Sequence, residues 1–319
     1  MLKHIYGGGM HRFAIVLLFV MLTGVALAEP KPATRPRQNS PLAIPEGTKI
    51  LRDVPYVNGG GKSQSLDLYV PANATKKLPL IIWIHGGGWQ AGDKAQNPGV
   101  LLLRSGYVVA SINYRLSQEA KWPAQINDCK AAVRWLRAHA DEYHIDPDRI
   151  GAWGASAGGH LVALLGTAGD AKDLEGDGGN ETFSSKVEAV CDYFGPTDFT
   201  KIENDHVAGD AIVHLFGGPL RDHAKEAKEA SPVTYVTKDD PPFLIMHGTE
   251  DPLVQVKQSH FLDDALKKVG VESHLEVIEG AGHGGPQFAK PKYAMMVFSF
   301  FNRHLKTATT QPTTKTSAD

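Results

Sequence analysis

Hydrophobic residues in this chain gather in short runs, unbroken at 80–84, and between the runs apolar positions recur at three-and-four spacing. The runs are residues 80–84 (Leu-Ile-Ile-Trp-Ile), 107–113, 149–153, 187–194, 243–247 and 274–278. Short apolar segments without polar alternation read as strands covered on both faces. Residues 123–143 place Ile126, Cys129, Val133, Leu136 and Ala140 on one helical face. Residues 255–268 do the same with Phe261, Leu262, Ala265 and Leu266, and residues 160–165 read as a buried helix. Residues 53–57 and 65–70 suggest an antiparallel start around Asn58-Gly59-Gly60-Gly61. Strands alternating with helices demand an α/β fold: a mostly parallel central sheet, helices on both faces and right-handed crossovers.

Candidate chemistry collects where the strands end. After the run 149–153 comes Gly154-Ala155-Ser156-Ala157-Gly158, a G-x-S-x-G between a strand and a helix. So tight a turn forces Ser156 into a strained backbone geometry. It also leaves no room for side chains two residues to either side. The serine hydroxyl then projects over the carboxyl edge of the sheet, at the positive end of the following helix. The run 80–84 empties into His85-Gly86-Gly87-Gly88-Trp89. Consecutive glycines let backbone N–H groups of Gly87 and Gly88 turn toward a developing oxyanion, joined by the N–H of Ala157 after the serine. No G-K-[ST] follows, which argues against a phosphate loop.

The run 243–247 leads into Gly248-Thr249-Glu250-Asp251, and the run 274–278 into Glu279-Gly280-Ala281-Gly282-His283. A histidine in a glycine-rich loop after the last strand is poorly placed for the core and well placed to reach Ser156. The order Ser156, Asp251, His283 is that of the α/β-hydrolase triad. Asp198, at an earlier strand end, is the rival acid, and Glu250 a weaker one. His160, His85 and His247 read as packing or backbone-bonding residues.

These motifs, with Gly92-Asp93-Lys94 and Asn113-Tyr114-Arg115-Leu116, make residues 53–305 resemble an α/β-hydrolase of the hormone-sensitive-lipase-like and acetyl-xylan/feruloyl-esterase-like branch. The resemblance implies a serine carboxylesterase. Ser156 is then the nucleophile, His283 the base and then acid, and Asp251 the orienting carboxylate, with Gly87, Gly88 and Ala157 as oxyanion donors. It implies short-chain or aromatic esters, carbohydrate-linked acetyl or feruloyl groups among them. Trp89 and Tyr114 are candidate walls of the substrate pocket. Hormone-sensitive-lipase-like enzymes usually carry a helical cap before the first strand, where this sequence is proline-rich, so an open cleft suited to a polymer is expected. Two other readings share the fold: a peptidase of the prolyl-oligopeptidase type, and an idle hydrolase fold that only binds.

Composition agrees with one domain over residues 48–306. At 319 residues and 42% hydrophobic, the chain can bury one large core. Its formal charge of −2 offers no basic field for nucleic acid. No zinc or carboxylate-cluster pattern appears, so neither metal nor cofactor is expected. Residues 199–232 form the only insertion large enough to make a lid. Residues 1–28 read as a signal peptide cleaved after Ala28, with an apolar run too short for a membrane span, so secretion or a periplasmic location is expected. Residues 29–47 are a proline-rich leader and 307–319 a polar tail. An oxidising compartment permits a disulfide, but the apolar contexts of Cys129 and Cys191 point to buried free thiols.

Overall fold

A computed structural model describes residues 44–72, 74–202 and 209–306. The expected signal peptide and polar tail lie outside the described residues, as do most of the leader and residues 203–208 of the expected lid. Eight strands form one sheet: β1 (Lys49–Pro55), β2 (Ser65–Val70), β3 (Leu78–Ile84), β4 (Val108–Ile112), β5 (Ile145–Ala155), β6 (Ala189–Tyr193), β7 (Phe243–Gly248) and β8 (Ser273–Ile278). Their spatial order is β1-β2-β4-β3-β5-β6-β7-β8. The pairs β1–β2 and β2–β4 are antiparallel, and every later pair is parallel. This is the α/β-hydrolase fold.

The alternation of side chains along β3 shows why its sequence is apolar throughout. Leu80, Ile82 and Ile84 face a core shared with helices α1 (Ala124–Ala138), α2 (Ala157–Thr167) and, further along the sheet, α5 (Lys257–Lys268). Ile81 and Trp83 point the other way, into a core closed by the turn Pro98–Ser105 and by α6 (Pro291–Leu305). A strand wedged between two helical layers has no solvent side on which to place polar residues. Cys129 and Cys191 are both buried free thiols.

Three boundaries differ from the sequence reading by four residues or more. The first strand runs over 49–55 rather than 53–57, because Tyr56 turns inward to donate its hydroxyl to Asn113 O and residues 62–64 add a helical turn before β2. Helix α1 stops at Ala138 rather than reaching 143. His139 closes it by donating from backbone and ring to Trp135 O, and the chain then turns into β5. The strand read as 149–153 begins at Ile145, which pairs with Leu78. Within the region expected as a lid lie α3 (Gly209–Phe216) and α4 (Ala224–Glu229). No helix among the described residues is long and apolar enough to cross a membrane.

Candidate active site

Ser156 is the single residue between β5 and α2, at φ 58 and ψ −120, a region non-glycine residues enter only under constraint. Its N–H donates to Tyr193 O and its carbonyl accepts from His160 N, so both neighbours hold the strained turn. The flanking glycines are steric requirements. A Cβ on Gly154 would lie 2.3 Å from Gly158 O, and one on Gly158 would lie 2.1 Å from Ile84 O. Gly86 brings the loop after β3 against the same turn, where a Cβ would approach Ala155 O to 2.7 Å.

His283 Nε2 lies 2.7 Å from Ser156 Oγ, and His283 Nδ1 lies 2.7 Å from Asp251 Oδ2. A carboxylate only accepts, so Nδ1 carries the proton and Nε2 is left to accept from the serine hydroxyl. The loops bearing Asp251 and His283 touch because Gly248 has no side chain: a Cβ there would sit 2.2 Å from Ala281 O. Glu250 N also donates to Ala281 O, which ties the two loops together. Phe194 packs on the His283 ring with centroids 4.7 Å apart.

The Asp251 side chain is buried and has four donors. Oδ1 accepts from Leu253 N and Val254 N, each at 2.9 Å, and Oδ2 from His283 and, at 3.2 Å, from His247 Nε2. Burial alone would raise its pKa. The bonds from His247, His283 and Val254 N–H outweigh that and hold the carboxyl well below the usual carboxylate range.

Gly87, Gly88 and Ala157 all line the cavity in front of Ser156. Gly87 (φ 112) and Gly88 (φ 60) adopt left-handed backbone, and a Cβ on Gly87 would strike Ala91 O at 2.2 Å. Ala157 opens α2, so its N–H has no carbonyl one turn back to serve. The cavity holds about 400 Å³ and has largely apolar walls, including Ile202, Ile212, Leu253 and Val254, with Lys201 and Lys257 also at its edge. Ala211 and Ile212 come from α3, so the insertion contributes a wall.

The two expected pocket walls separate. Trp89 lines the cavity, with its indole N–H donating to His160 Nδ1 at 3.2 Å. Tyr114 does not line it. The ring is 1% exposed, stacks on His85 at 4.5 Å and donates its hydroxyl to His85 O, so it supports the glycine loop from behind. An apolar ring at a strand end packs under a loop as readily as beside a pocket, and the sequence carries no signal between the two.

His160 is fully buried and joins three elements. Its Nδ1 accepts from Trp89, and its Nε2–H donates to Ala230 O at 2.7 Å. Burial lowers its pKa to about 4, against a weaker opposing pull from Ala230 O. His85 Nδ1 bonds Gly86 O. Asp198 caps the turn Phe199–Lys201, accepting from Thr200 and pairing with Lys201. Glu250 is exposed. His247, read as a backbone-bonding residue, does bond Val254 O, but it also reaches Asp251. The four-residue interval from His247 to Asp251 spans a strand end and a turn, so its closure is a tertiary fact the sequence pattern does not carry. Among the described residues no group of three or more His, Cys, Asp or Glu is arranged to hold a metal ion.

A family model described as BD-FAE matches residues 66–266. The chain is 35% identical over 225 residues to esterase LipQ of Mycobacterium tuberculosis, covering 68% of this chain and 53% of that protein. It spans about half the length of the curated relatives it matches. A truncated carbohydrate esterase from gut microbiota superposes with a TM-score of 0.77 at 36% identity, covering 82% of this chain and 98% of that one. The butyrate-bound esterase Est2 of Thermogutta terrifontis superposes with a TM-score of 0.64 at 28% identity, over 81% of this chain and 94% of its own.

Proposed function

The chain belongs to the BD-FAE family, and from that membership and the geometry of its site we propose that it is a carboxylic ester hydrolase working through a serine acyl-enzyme. The observation that carries this reading is the continuous chain of bonds from Ser156 Oγ through His283 to Asp251, opening on an apolar cavity. His283 Nε2 takes the proton of Ser156 as the hydroxyl oxygen attacks the ester carbonyl. The N–H groups of Gly87, Gly88 and Ala157 hold the resulting oxyanion. His283 then gives the proton to the departing alcohol. Water, deprotonated by the same imidazole, releases the acid and restores Ser156. Asp251 stabilises the imidazolium that forms at both steps without itself taking the proton.

The substrate class proposed is a short-chain or aromatic acyl ester, with carbohydrate-linked acetyl or feruloyl esters foremost. Three observations support it. The cavity walls are largely apolar and its volume is about 400 Å³. One structural neighbour is described as a carbohydrate esterase, and another holds butyrate. The signal-like pattern of residues 10–28 supports action outside the cytoplasm. A panel of acetylated xylan, methyl ferulate, short and long nitrophenyl esters and peptide anilides tests the proposal. Turnover is expected on the acetyl, short nitrophenyl or feruloyl esters. Preference for long-chain esters or for anilides would overturn it.

A further inference from the structure

Two serine–histidine pairs converge on one carboxylate in this structure. The outer pair is Ser156 and His283, at the cavity. The inner pair, Ser259 and His247, is fully buried on the far side of Asp251. Val254 O, 2.8 Å from His247 Nε2, cannot donate, so Nε2 carries the proton. Nδ1 is therefore an acceptor, and Ser259 Oγ, 2.7 Å away on α5, donates to it. These two partners already satisfy a buried imidazole. Asp251 Oδ2 lies 3.2 Å from the same nitrogen, so the single Nε2–H is shared between Val254 O and the carboxylate, a third partner beyond what burial requires.

We propose that His247 is a positioning residue for ester hydrolysis, fixing the Asp251 carboxylate through Nε2–H so that Oδ2 presents its remaining lone pair to His283 Nδ1. Leu253 N and Val254 N pin only Oδ1, and a carboxylate held by one oxygen can still swing its other. His247 holds the second oxygen from the interior. Ser259 holds His247 in the tautomer that can do so. The inference rests on the Ser156–His283–Asp251 reading above. His247 does not line the cavity, so its effect belongs to the chemical step and not to substrate binding.

The test compares His247→Met, which keeps bulk and loses the donor, with His247→Gln, which keeps a side-chain N–H, and with Ser259→Ala. Each is assayed on a short nitrophenyl ester, with thermal melts to establish folding. The far-downfield proton resonance of His283 Nδ1–H is recorded in phosphonylated enzyme. His247→Met is expected to lose about tenfold in kcat at unchanged KM, as misplacement of a catalytic partner does. Its downfield resonance should move. His247→Gln should restore most of kcat and the resonance, and Ser259→Ala should fall between. Folded His247→Met with the parent kcat, a loss carried in KM, or equal impairment of Gln and Met would overturn the role. If His247→Met does not fold, parent kcat and an unmoved resonance in Ser259→Ala overturn it. Asp251→Asn runs alongside. Full turnover there would bring down the triad reading itself, whereas its loss beside an unaffected His247→Met would overturn only the role of His247.

Discussion

Acidification should unfasten the bolt formed by Trp89, His160 and Ala230. His160 is buried and neutral, with its pKa lowered from 6.5 to about 4 by desolvation. In the unfolded chain the ring takes a proton near its ordinary pKa, whereas the folded protein resists it. The contribution to stability is therefore fully present above pH 6.5 and is lost as pH falls toward about 4. At roughly 1.4 kcal/mol per unit, the loss reaches about 2.5 kcal/mol by about pH 4.5, a large share of a typical domain's stability. For a domain of this size that corresponds to about 5 °C or more in melting temperature. His160→Gln removes the titrating group while keeping a donor and an acceptor. Melting temperatures of both proteins from neutral to about pH 4.5 should therefore converge by about that amount, since every other titrating group is common to them. A gap that stays constant across the range would refute the claim that His160 is held neutral by its surroundings.

Other outcomes follow from the same geometry. Asp251→Asn should cost about 10⁴ in kcat by leaving His283 in the wrong tautomer, as in the serine protease case, whereas Asp198→Asn should cost little because that side chain only caps a turn. Assays on a short ester, with melts as controls, decide it, and the reverse ranking would move the acid. Asp192 is buried beneath the elbow with Oδ1 on Gly195 N, and desolvation raises its pKa from 3.8 to about 6. Its native form binds a proton more tightly than the unfolded chain, so it costs stability as pH rises from about 4 through 6. Melts should show Asp192→Asn gaining on the parent by about 2 kcal/mol over that span. Gly158→Ala should lose both activity and several degrees of melting temperature, because its Cβ would meet Ile84 O at 2.1 Å and neither backbone can yield.

The sheet was legible because a strand covered on both faces has an unmistakable composition, as the run from Leu80 to Ile84 shows. The elbow and the glycine loop were legible for a related reason: their constraints are local and steric, and only glycine meets them. Ser156, Asp251 and His283 could be picked out as strand-end residues in a particular order, and the structure brings them within hydrogen-bonding distance. What the sequence did not carry was decided by partners distant in the chain. Tyr114 faces inward because His85 offers a ring to stack on and a carbonyl to bond. His247 reaches Asp251 because the turn after β7 folds back over the strand end. The early end of α1 depends on where β5 must begin, which no helical periodicity records.

If Ser156 is the nucleophile of an ester hydrolase, it can be captured covalently. The protein is titrated with a fluorophosphonate while turnover of a short nitrophenyl ester is followed, and the adduct is located by peptide mass mapping. One adduct per chain is expected, on the peptide bearing Ser156, with activity falling in proportion to labelling. Ser156→Ala should remain folded, take no label, and lose several orders of magnitude in turnover. An adduct on another residue, or near-normal hydrolysis by unlabelled Ser156→Ala, would contradict it.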